Sequence, residues 1–280
     1  MTNKALKKLN IIGAGRVGQA LGRLWHEAGI FTIGGIVNRT PESARKATAF
    51  IGAGTPIENI AALPATDLTM IATPDDEIAL CVSALRKNNN LQNQIVFHCS
   101  GALPSPLLQP AKEAGAFVAS IHPVKSFADA EESVKTFAGT WCGVEGDARA
   151  LAVLEDALQK CGAKTFAVNP AQKTLYHTAN VFICNYLTAL MDVGLDCYER
   201  AGVPRETAIE ITRPMIAETI RNIQTRGTAA ALTGPIARGD MKTVEKQMQA
   251  LRAWNPDYAA LYEQLGKVAA GLAQEQRMAA

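Results

Sequence analysis

The sequence has 280 residues, of which 48% are hydrophobic and 19% charged, a composition typical of a folded globular protein rather than a disordered chain. Its formal net charge is only +2 and no long basic segment occurs, which argues against a nucleic-acid-binding or anionic-membrane-binding protein. The length indicates two domains.

Residues 9–168 alternate short apolar segments with helical segments, the pattern of a mostly parallel α/β sheet. Residues 17–29 are predicted to form a helix that ends at Gly29, where glycine suits the left-handed helix end. Strands are predicted at residues 9–14, 32–38, 68–73, 94–100, 116–122, 141–146 and 164–168.

From Pro170 onward the pattern becomes all-helical, so we predict two domains, residues 1–168 and 169–280. Residues 170–201 contain no further proline and predict one long helix ended by Gly202, apolar around its circumference and therefore buried on several sides. Further helices are expected from Pro204, with Pro214 kinking or breaking one, and over residues 240–273.

The segment "GAGRVG" at residues 13–18 matches G-x-G-x-x-G, directly after an apolar strand and at the start of a helix. In a dinucleotide site Gly13 allows the turn, Gly15 leaves room for the pyrophosphate, and Gly18 lets the helix lie against the sheet. Arg16 and Val17, at the helix start, complete the predicted contact set. The alternative is a glycine-rich turn that binds nothing.

The second strand ends in "VNRT", with Asn38, Arg39 and Thr40 where NAD-binding proteins carry an acid for the ribose. Without that acid a 2′-phosphate is not repelled, and Arg39 can pair with it while Thr40 and Ser43 donate hydrogen bonds. The sequence therefore predicts NADP as the cofactor. The alternative is an ordinary capped helix start with a solvated arginine.

The next strand end reads "IATPDDEI" and lies where ligands bind at the carboxyl edge of open α/β sheets. Thr73 and Pro74 are predicted to line the cofactor ribose. Asp75 and Asp76 read equally well as helix-capping residues.

With "GAGRVG", "NRT", "TPDD", "SGA" and "HP" in order, followed by "KTLYHTANVFICNYLTAL" (173–190) and "GPIARGD" (234–240), nearly the whole chain resembles a known group. It resembles Rossmann-like proteins with an uncharacterised C-terminal helical domain, relatives of prephenate dehydrogenase, pyrroline-5-carboxylate reductase and ketopantoate reductase in the 6-phosphogluconate-dehydrogenase-like superfamily. The resemblance implies an α/β Rossmann-type domain before a helical one, an NAD(P)-dependent oxidoreductase fold, and a dimer through the helical domain.

Two strand ends supply candidate catalytic groups. Prephenate dehydrogenases carry a Ser at the first of these ends and a His-Pro at the second, which the resemblance maps to Ser100 and His122. A histidine near the substrate suits proton transfer at neutral pH. The alternatives are a structural histidine and a tight turn at Ser100, while His98 is predicted to be a core residue.

A second candidate pair lies on the long helix, where Lys173 and His177 are four residues apart and share a face. In the related 3-hydroxyacid dehydrogenases a Lys and an Asn at these positions bind and protonate the substrate carbonyl. Here His177 stands in the place of that Asn. The alternative is a polar stripe without catalytic function.

These features together predict an NADP-dependent oxidoreductase for a small carboxylate-bearing keto, hydroxy or imine substrate, with ketopantoate-like reduction first and prephenate-like dehydrogenation second. The alternative is a non-catalytic NADP-binding sensor or scaffold. No apolar run long enough for a membrane span, no secretion signal and no metal-ligand spacing is recognised, so we expect a cytoplasmic homodimer without metal, nucleic-acid or membrane partners.

Overall fold

A computed structural model of the protein describes residues 6–88 and 90–279. Within them the chain divides into two compact units, with the division after Asn185. This division falls later than the predicted domain boundary at residue 168, because the helix that begins at Lys173 packs on the sheet of the first unit through its buried lysine. The domain boundary in the functional sense stays a prediction.

The first unit contains an eight-stranded sheet within the described residues, in the order β3-β2-β1-β4-β5-β6-β7-β8. All neighbouring strands are parallel except β6 and β7, which are antiparallel. The sheet confirms the predicted fold class and all seven predicted strands; the unpredicted β3 is a three-residue edge strand. The strands are β1 (Lys7–Ile12), β2 (Phe31–Val37), β3 (Thr55–Ile57), β4 (Leu68–Ile71), β5 (Ile95–His98), β6 (Phe117–Pro123), β7 (Trp141–Gly146) and β8 (Lys164–Ala167).

Helices flank the sheet. The first ends at Glu27 and not at Gly29, and Gly29 follows at φ +61° to close the helix end. Trp25 is fully buried and contacts Phe31 and Phe97 edge-on, at ring-centroid distances of 5.4 and 6.2 Å. The helices are α1 (Arg16–Glu27), α2 (Pro41–Ile51), α3 (Asp75–Asn88), α4 (Gln109–Glu113), α5 (Ala130–Lys135) and α6 (Ala148–Lys160).

The predicted long helix is a continuous helical segment whose type changes. A 3-10 turn (Pro170–Gln172) leads into α7 (Lys173–Asn180), a π-helical turn (Val181–Tyr186) and α8 (Leu187–Arg200). The expectation of burial on several sides is wrong for the single chain, since Phe182 is 61% and Ile183 72% exposed. Its first α-helical turn packs on the sheet through Lys173.

Contrary to the expectation from the sequence, Pro170–Arg200 is long and apolar enough to cross a membrane by length and composition, since an 18-residue stretch within it has a mean hydropathy of 1.2. One such segment is weak evidence, because core helices of other proteins have the same length and composition.

The second unit continues from α8 as a set of helices. α9 runs through Pro214 without ending, so of the two predicted outcomes, a kink or a break, the break is absent, and the segment predicted at 240–273 is two helices separated at Asn255. The helices are α9 (Arg205–Arg226), α10 (Thr228–Ala231), α11 (Pro235–Arg238), α12 (Met241–Trp254) and α13 (Pro256–Met278).

Candidate active site at the carboxyl edge of the sheet

In the glycine turn between β1 and α1, each of the three glycines is explained by a different feature of its surroundings. Gly13 has φ +80°, and a Cβ there would lie 2.7 Å from the backbone nitrogen of Thr73. A Cβ on Gly18 would lie 3.0 Å from the Gly13 carbonyl oxygen, whereas one on Gly15 would meet nothing within 4 Å. Two glycines are thus required by packing, while Gly15 keeps the space above the helix start clear.

The start of α1 has unused hydrogen-bond donors. Its N-cap is Gly15, which provides no side-chain cap, and the first N–H groups of a helix, those of Arg16 and Val17 among them, have no intrahelical acceptor. These groups and the helix dipole favour an anion at this position.

Asn38 fastens the glycine turn to the neighbouring strand end. Its Oδ1 accepts the Ala14 N–H at 2.6 Å, and its Nδ2 donates to the Ser43 carbonyl at 3.0 Å. The amide does both because it carries a donor and an acceptor, whereas a carboxylate would only accept. The structure therefore assigns Asn38 a role in shaping the turn.

Thr40 and Ser43 form a reciprocal capping box at the start of α2, as the alternative interpretation of this segment expected. Arg39 lies between Asn38 and this cap with an exposed side chain, and Glu42 pairs with Lys46 instead. Of the residues predicted to bind the 2′-phosphate, Thr40 and Ser43 use their hydroxyls within the cap, whereas Arg39 has an exposed side chain.

Thr73 and Pro74 follow β4 next to the glycine turn. The Thr73 methyl carbon would lie 2.5 Å from a Cβ on Gly13, so the two residues are in direct contact across the strand ends. Pro74 is exposed at the start of α3. Both lie at the sheet edge where the sequence placed them.

Ser100 is buried in the turn after β5, and its hydroxyl is fully engaged. It donates to Asp75 Oδ2 at 2.9 Å and accepts the N–H groups of Ala102 and Leu103 at 3.1 and 2.9 Å. A hydroxyl has one donor and two acceptor positions, so no capacity remains for a substrate. This geometry favours the turn interpretation of Ser100 over a catalytic one.

His122 lies near the end of β6, paired in register with Gly143 of the antiparallel strand β7. Its Nδ1 is 2.8 Å from the Tyr176 hydroxyl, and its ring centroid is 5.8 Å from that of His177. On the other side a Cβ on Gly101 would lie 2.6 Å from His122 Nε2, so only glycine fits there. Burial, His177 and Lys173 lower the pKa of His122 to about 4, which makes the imidazole neutral at pH 7.

Lys173 is 1% exposed, in a buried polar network beside His122. Its ammonium donates to the Ser120 hydroxyl and to Glu145 Oε1 at 3.0 Å. Glu145 also accepts from Ser105, the N–H at 2.7 Å and the hydroxyl at 2.6 Å. Burial lowers the pKa of Lys173 and Glu145 opposes that shift. The geometry favours a structural ion pair over contact with substrate.

His98 is fully buried at the end of β5, as expected of a core residue. Its Nδ1 accepts the Ser100 N–H at 3.2 Å, and burial together with Lys173 lowers its pKa to about 3. It is therefore a neutral structural histidine.

Three residues that shape the site were not identified from the sequence: Gly143, Glu145 and Tyr176. Gly143 makes room for the Tyr176 phenol, because a Cβ there would lie 2.9 Å from its oxygen. The available signal was a glutamate inside an otherwise apolar strand, two residues from a glycine and therefore on the same face. Among the described residues no group of three or more His, Cys, Asp and Glu is placed to hold a metal ion.

A parallel sheet with a glycine turn at its topological switch point, between β1 and β4, defines the class of Rossmann-like proteins. Residues 2–123 match the model of a Rossmann-like domain, and residues 140–269 match that of a domain of unknown function, DUF2520. The two matches follow one another along the chain and confirm its resemblance to Rossmann-like proteins with an uncharacterised C-terminal domain. The second match begins at β7, so His122 lies in the first segment and Glu145 and Tyr176 in the second.

Solved structures share this fold over almost the whole chain. BF3122 from Bacteroides fragilis, named as a candidate NADP oxidoreductase, is 20% identical with a TM-score of 0.80, covering 95% of this chain and 98% of that one. Protein TM1727 from Thermotoga maritima is 26% identical with a TM-score of 0.74, covering 96% and 99%. An imine reductase from Myxococcus stipitatus in complex with NADP+ is 15% identical with a TM-score of 0.63, covering 97% and 94%.

Pyrroline carboxylate reductases and a prephenate dehydrogenase share the fold as well, in line with the superfamily that the motifs indicated. No curated protein is matched.

Proposed function

We propose that this protein is an NADP-dependent oxidoreductase that reduces or oxidises a small substrate at a C=O or C=N bond. The observation that carries the proposal is the position of His122 on the same carboxyl edge of the sheet as the glycine turn. Strands β1, β4, β5 and β6 are neighbours, so about three strand spacings of ~4.8 Å separate the two groups. Structural neighbours named as NADP-binding oxidoreductases support it.

The residues at the edge fit a dinucleotide. The first turn of α1 would hold the pyrophosphate above Gly15, where the chain leaves space, and Arg39 would hold the 2′-phosphate. Thr73 and Pro74 would line the ribose. The bound nicotinamide supplies or accepts a hydride. Since other proteins of this fold bind NAD+, the choice of NADP rests on Arg39 and the missing acid at residue 38.

His122 is the proton-handling group in this proposal. A neutral imidazole polarises a carbonyl by donating a hydrogen bond and thereby avoids the cost of a buried charge. With Nδ1 engaged by Tyr176, the remaining nitrogen, Nε2, faces Gly101 and the turn after β5. We therefore assign Nε2 as the atom that gives its proton to the substrate in reduction and takes it back in oxidation.

The substrate class follows the expectation from the sequence: a small carboxylate-bearing keto, hydroxy or imine compound, with ketopantoate-like reduction as the first candidate. We further propose a cytoplasmic homodimer through the helical domain, since the apolar side chains of residues 181–190 are exposed in the single chain. Light scattering at micromolar concentration tests the dimer, and a monomeric mass contradicts it.

The test of the function is a scan of 2-keto acids and cyclic imines for oxidation of NADPH, followed by His122→Ala on the best substrate. We expect kcat to fall by about 100-fold or more, because general acid catalysis contributes that much, while the Kd of NADPH stays within twofold. An unchanged kcat would remove His122 from the mechanism.

The second candidate is a non-catalytic NADP-binding sensor or scaffold. One observation favours it: the hydroxyl of Ser100 and the ammonium of Lys173, two of the four predicted catalytic groups, are engaged in internal hydrogen bonds. Tight NADPH binding without turnover of any compound in the scan would select this candidate.

A further inference from the structure

The space around Tyr176 is built to hold its hydroxyl against His122. Gly143 leaves room for the phenol, and Val168 bounds the same space, because a Cβ at 143 would lie 2.8 Å from the Val168 Cγ2 atom. Phe166 packs edge-on against the Tyr176 ring at a centroid distance of 6.0 Å. A residue selected only for packing would not need a glycine opposite its polar atom.

The imidazole of His122 is held between two fixed groups. The Tyr176 hydroxyl lies 2.8 Å from Nδ1, and the two rings are edge-on at an interplanar angle of 87°. Gly101 lies against the opposite side of the ring, at Nε2 and Cε1. In the described part of the chain the bond to Tyr176 is the one hydrogen bond of this ring.

A neutral imidazole carries one proton, so its partner decides which nitrogen holds it. The ionisable groups acting on His122 are His177 and Lys173 of α7, and Lys173 is in turn paired with Glu145 of β7. The interactions with both groups disfavour a protonated His122. The phenol is protonated at neutral pH, since burial raises the pKa of Tyr176.

We propose that Tyr176 is a positioning residue whose hydroxyl donates a hydrogen bond to His122 Nδ1, which places the imidazole proton on Nε2, and that it supplies a proton to Nδ1 during turnover. The proposal rests on the proposed function. As the Nε2–H bond breaks and the proton passes to the substrate oxygen or nitrogen, the Tyr176 O–H bond breaks and an N–H bond forms at Nδ1. The imidazole stays neutral, the negative charge passes to the phenolate oxygen, and water returns a proton to it.

The test begins without substrate. Ring-nitrogen NMR of ¹⁵N-histidine-labelled protein reports the tautomer of His122, whose signals are assigned by their loss in His122→Ala. We expect one tautomer with the proton on Nε2 in the wild type, and a mixture in Tyr176→Phe, which keeps the ring and removes the hydroxyl. A wild-type His122 with its proton on Nδ1 overturns the proposal.

Turnover supplies the second readout. Tyr176→Phe should lower kcat by tenfold or more with less than a twofold change in the KM for NADPH. Gly143→Ala should reproduce both effects, because its Cβ would displace the phenol from His122. Tyr262→Phe, which removes a hydroxyl bonded to Gln247, is the matched control and should change neither.

The experiments distinguish a failure of the proposed role of Tyr176 from a failure of the proposed oxidoreductase function. If His122→Ala abolishes turnover while Tyr176→Phe changes neither the tautomer nor kcat, the role of Tyr176 is overturned and the function stands. If no compound is turned over, the function fails, and the tautomer in the two proteins still decides whether Tyr176 controls the imidazole.

Discussion

The two ends of the candidate site are held together by different forces. At the glycine turn, the backbone segments approach closely because glycines have no side chain, and hydrogen bonds of Asn38 with Ala14 and Ser43 hold them together. At His122 the geometry depends on a buried ion pair, because Lys173 and Glu145 fasten α7 to the antiparallel strands β6 and β7. The glycine turn therefore keeps its shape through local backbone geometry and hydrogen bonds, whereas the site at His122 is fixed by a buried ion pair removed from water.

Breaking the buried pair should give the largest effect. Lys173→Met leaves the Glu145 carboxylate buried without its cation, which costs about 3–5 kcal/mol of unfolding free energy. The double variant Lys173→Met/Glu145→Leu should lose less than the sum of the single variants, because no charge is then stranded. Denaturant unfolding measures both.

The control for this prediction is Lys160→Met. It removes an exposed pair with Asp156, whose partners are 58% and 59% exposed, and should cost less than about 0.5 kcal/mol. Exposed ion pairs contribute at most about 1 kcal/mol. If the unfolding free energy of Lys173→Met lies within that range of the wild type, the buried pair does not stabilise the region around His122.

The pH dependence of the unfolding free energy should show the burial of the histidines in this part of the site. Burial lowers the pKa values of His122 and His98 from 6.5 to about 4 and about 3 in the folded chain. The unfolded chain therefore binds more protons below pH 6.5, so stability is complete above that pH and falls on acidification. At pH 5 the loss is about 2 kcal/mol for each histidine.

Denaturant unfolding at pH 7 and pH 5 measures this loss. His122→Gln should remove roughly half of it, whereas His26→Gln, at an exposed position on α1, should leave it unchanged. Equal acid loss in the wild type and in His122→Gln would mean that His122 is not buried as a neutral group.

The cofactor end should respond in binding rather than in stability. Arg39→Ala should raise the Kd of NADPH by about tenfold to a hundredfold and leave that of NADH unchanged, because a hydrogen bond to a charged group contributes ~1.5–3 kcal/mol. Calorimetry measures both ligands. Arg86→Ala, at the far end of α3, is the matched control. Equal effects on the two nucleotides would refute a 2′-phosphate site at Arg39.

Gly15→Ala should give the smallest effect on the fold. Its Cβ would meet nothing in the chain, so the unfolding free energy should fall by no more than about 1 kcal/mol, the difference between Gly and Ala at an N-cap, yet NADPH binding should weaken about tenfold. Gly194→Ala on α8 also adds a Cβ that meets nothing within 4 Å; it should leave NADPH binding unchanged and raise the unfolding free energy by about 0.5–1 kcal/mol, because Ala is the better residue inside a helix. Undiminished NADPH binding would mean that the phosphates do not pass above Gly15.

Much of the fold followed from local pattern. The strand sequences, the glycine turn and the cap at Thr40 were recognisable because each depends on residues close together in the chain. The short edge strand β3 was not predicted from the sequence because a three-residue strand is too short to show a periodic pattern. At Pro214 the sequence allowed either a kink or a break, and the break is absent because a proline inside a helix removes one hydrogen bond while the rest of the helix continues.

The α/β order and the glycine turn could be predicted from the chain because they depend on periodicity and local residue types, and His122 could be predicted through the family resemblance. The folded arrangement was needed to show that Ser100 completes a turn, that Lys173 is buried against Glu145, and that Tyr176 contacts His122. Those outcomes depend on which side chains an antiparallel strand pair and a distant helix bring within hydrogen-bond reach. No spacing along a single chain encodes such distances.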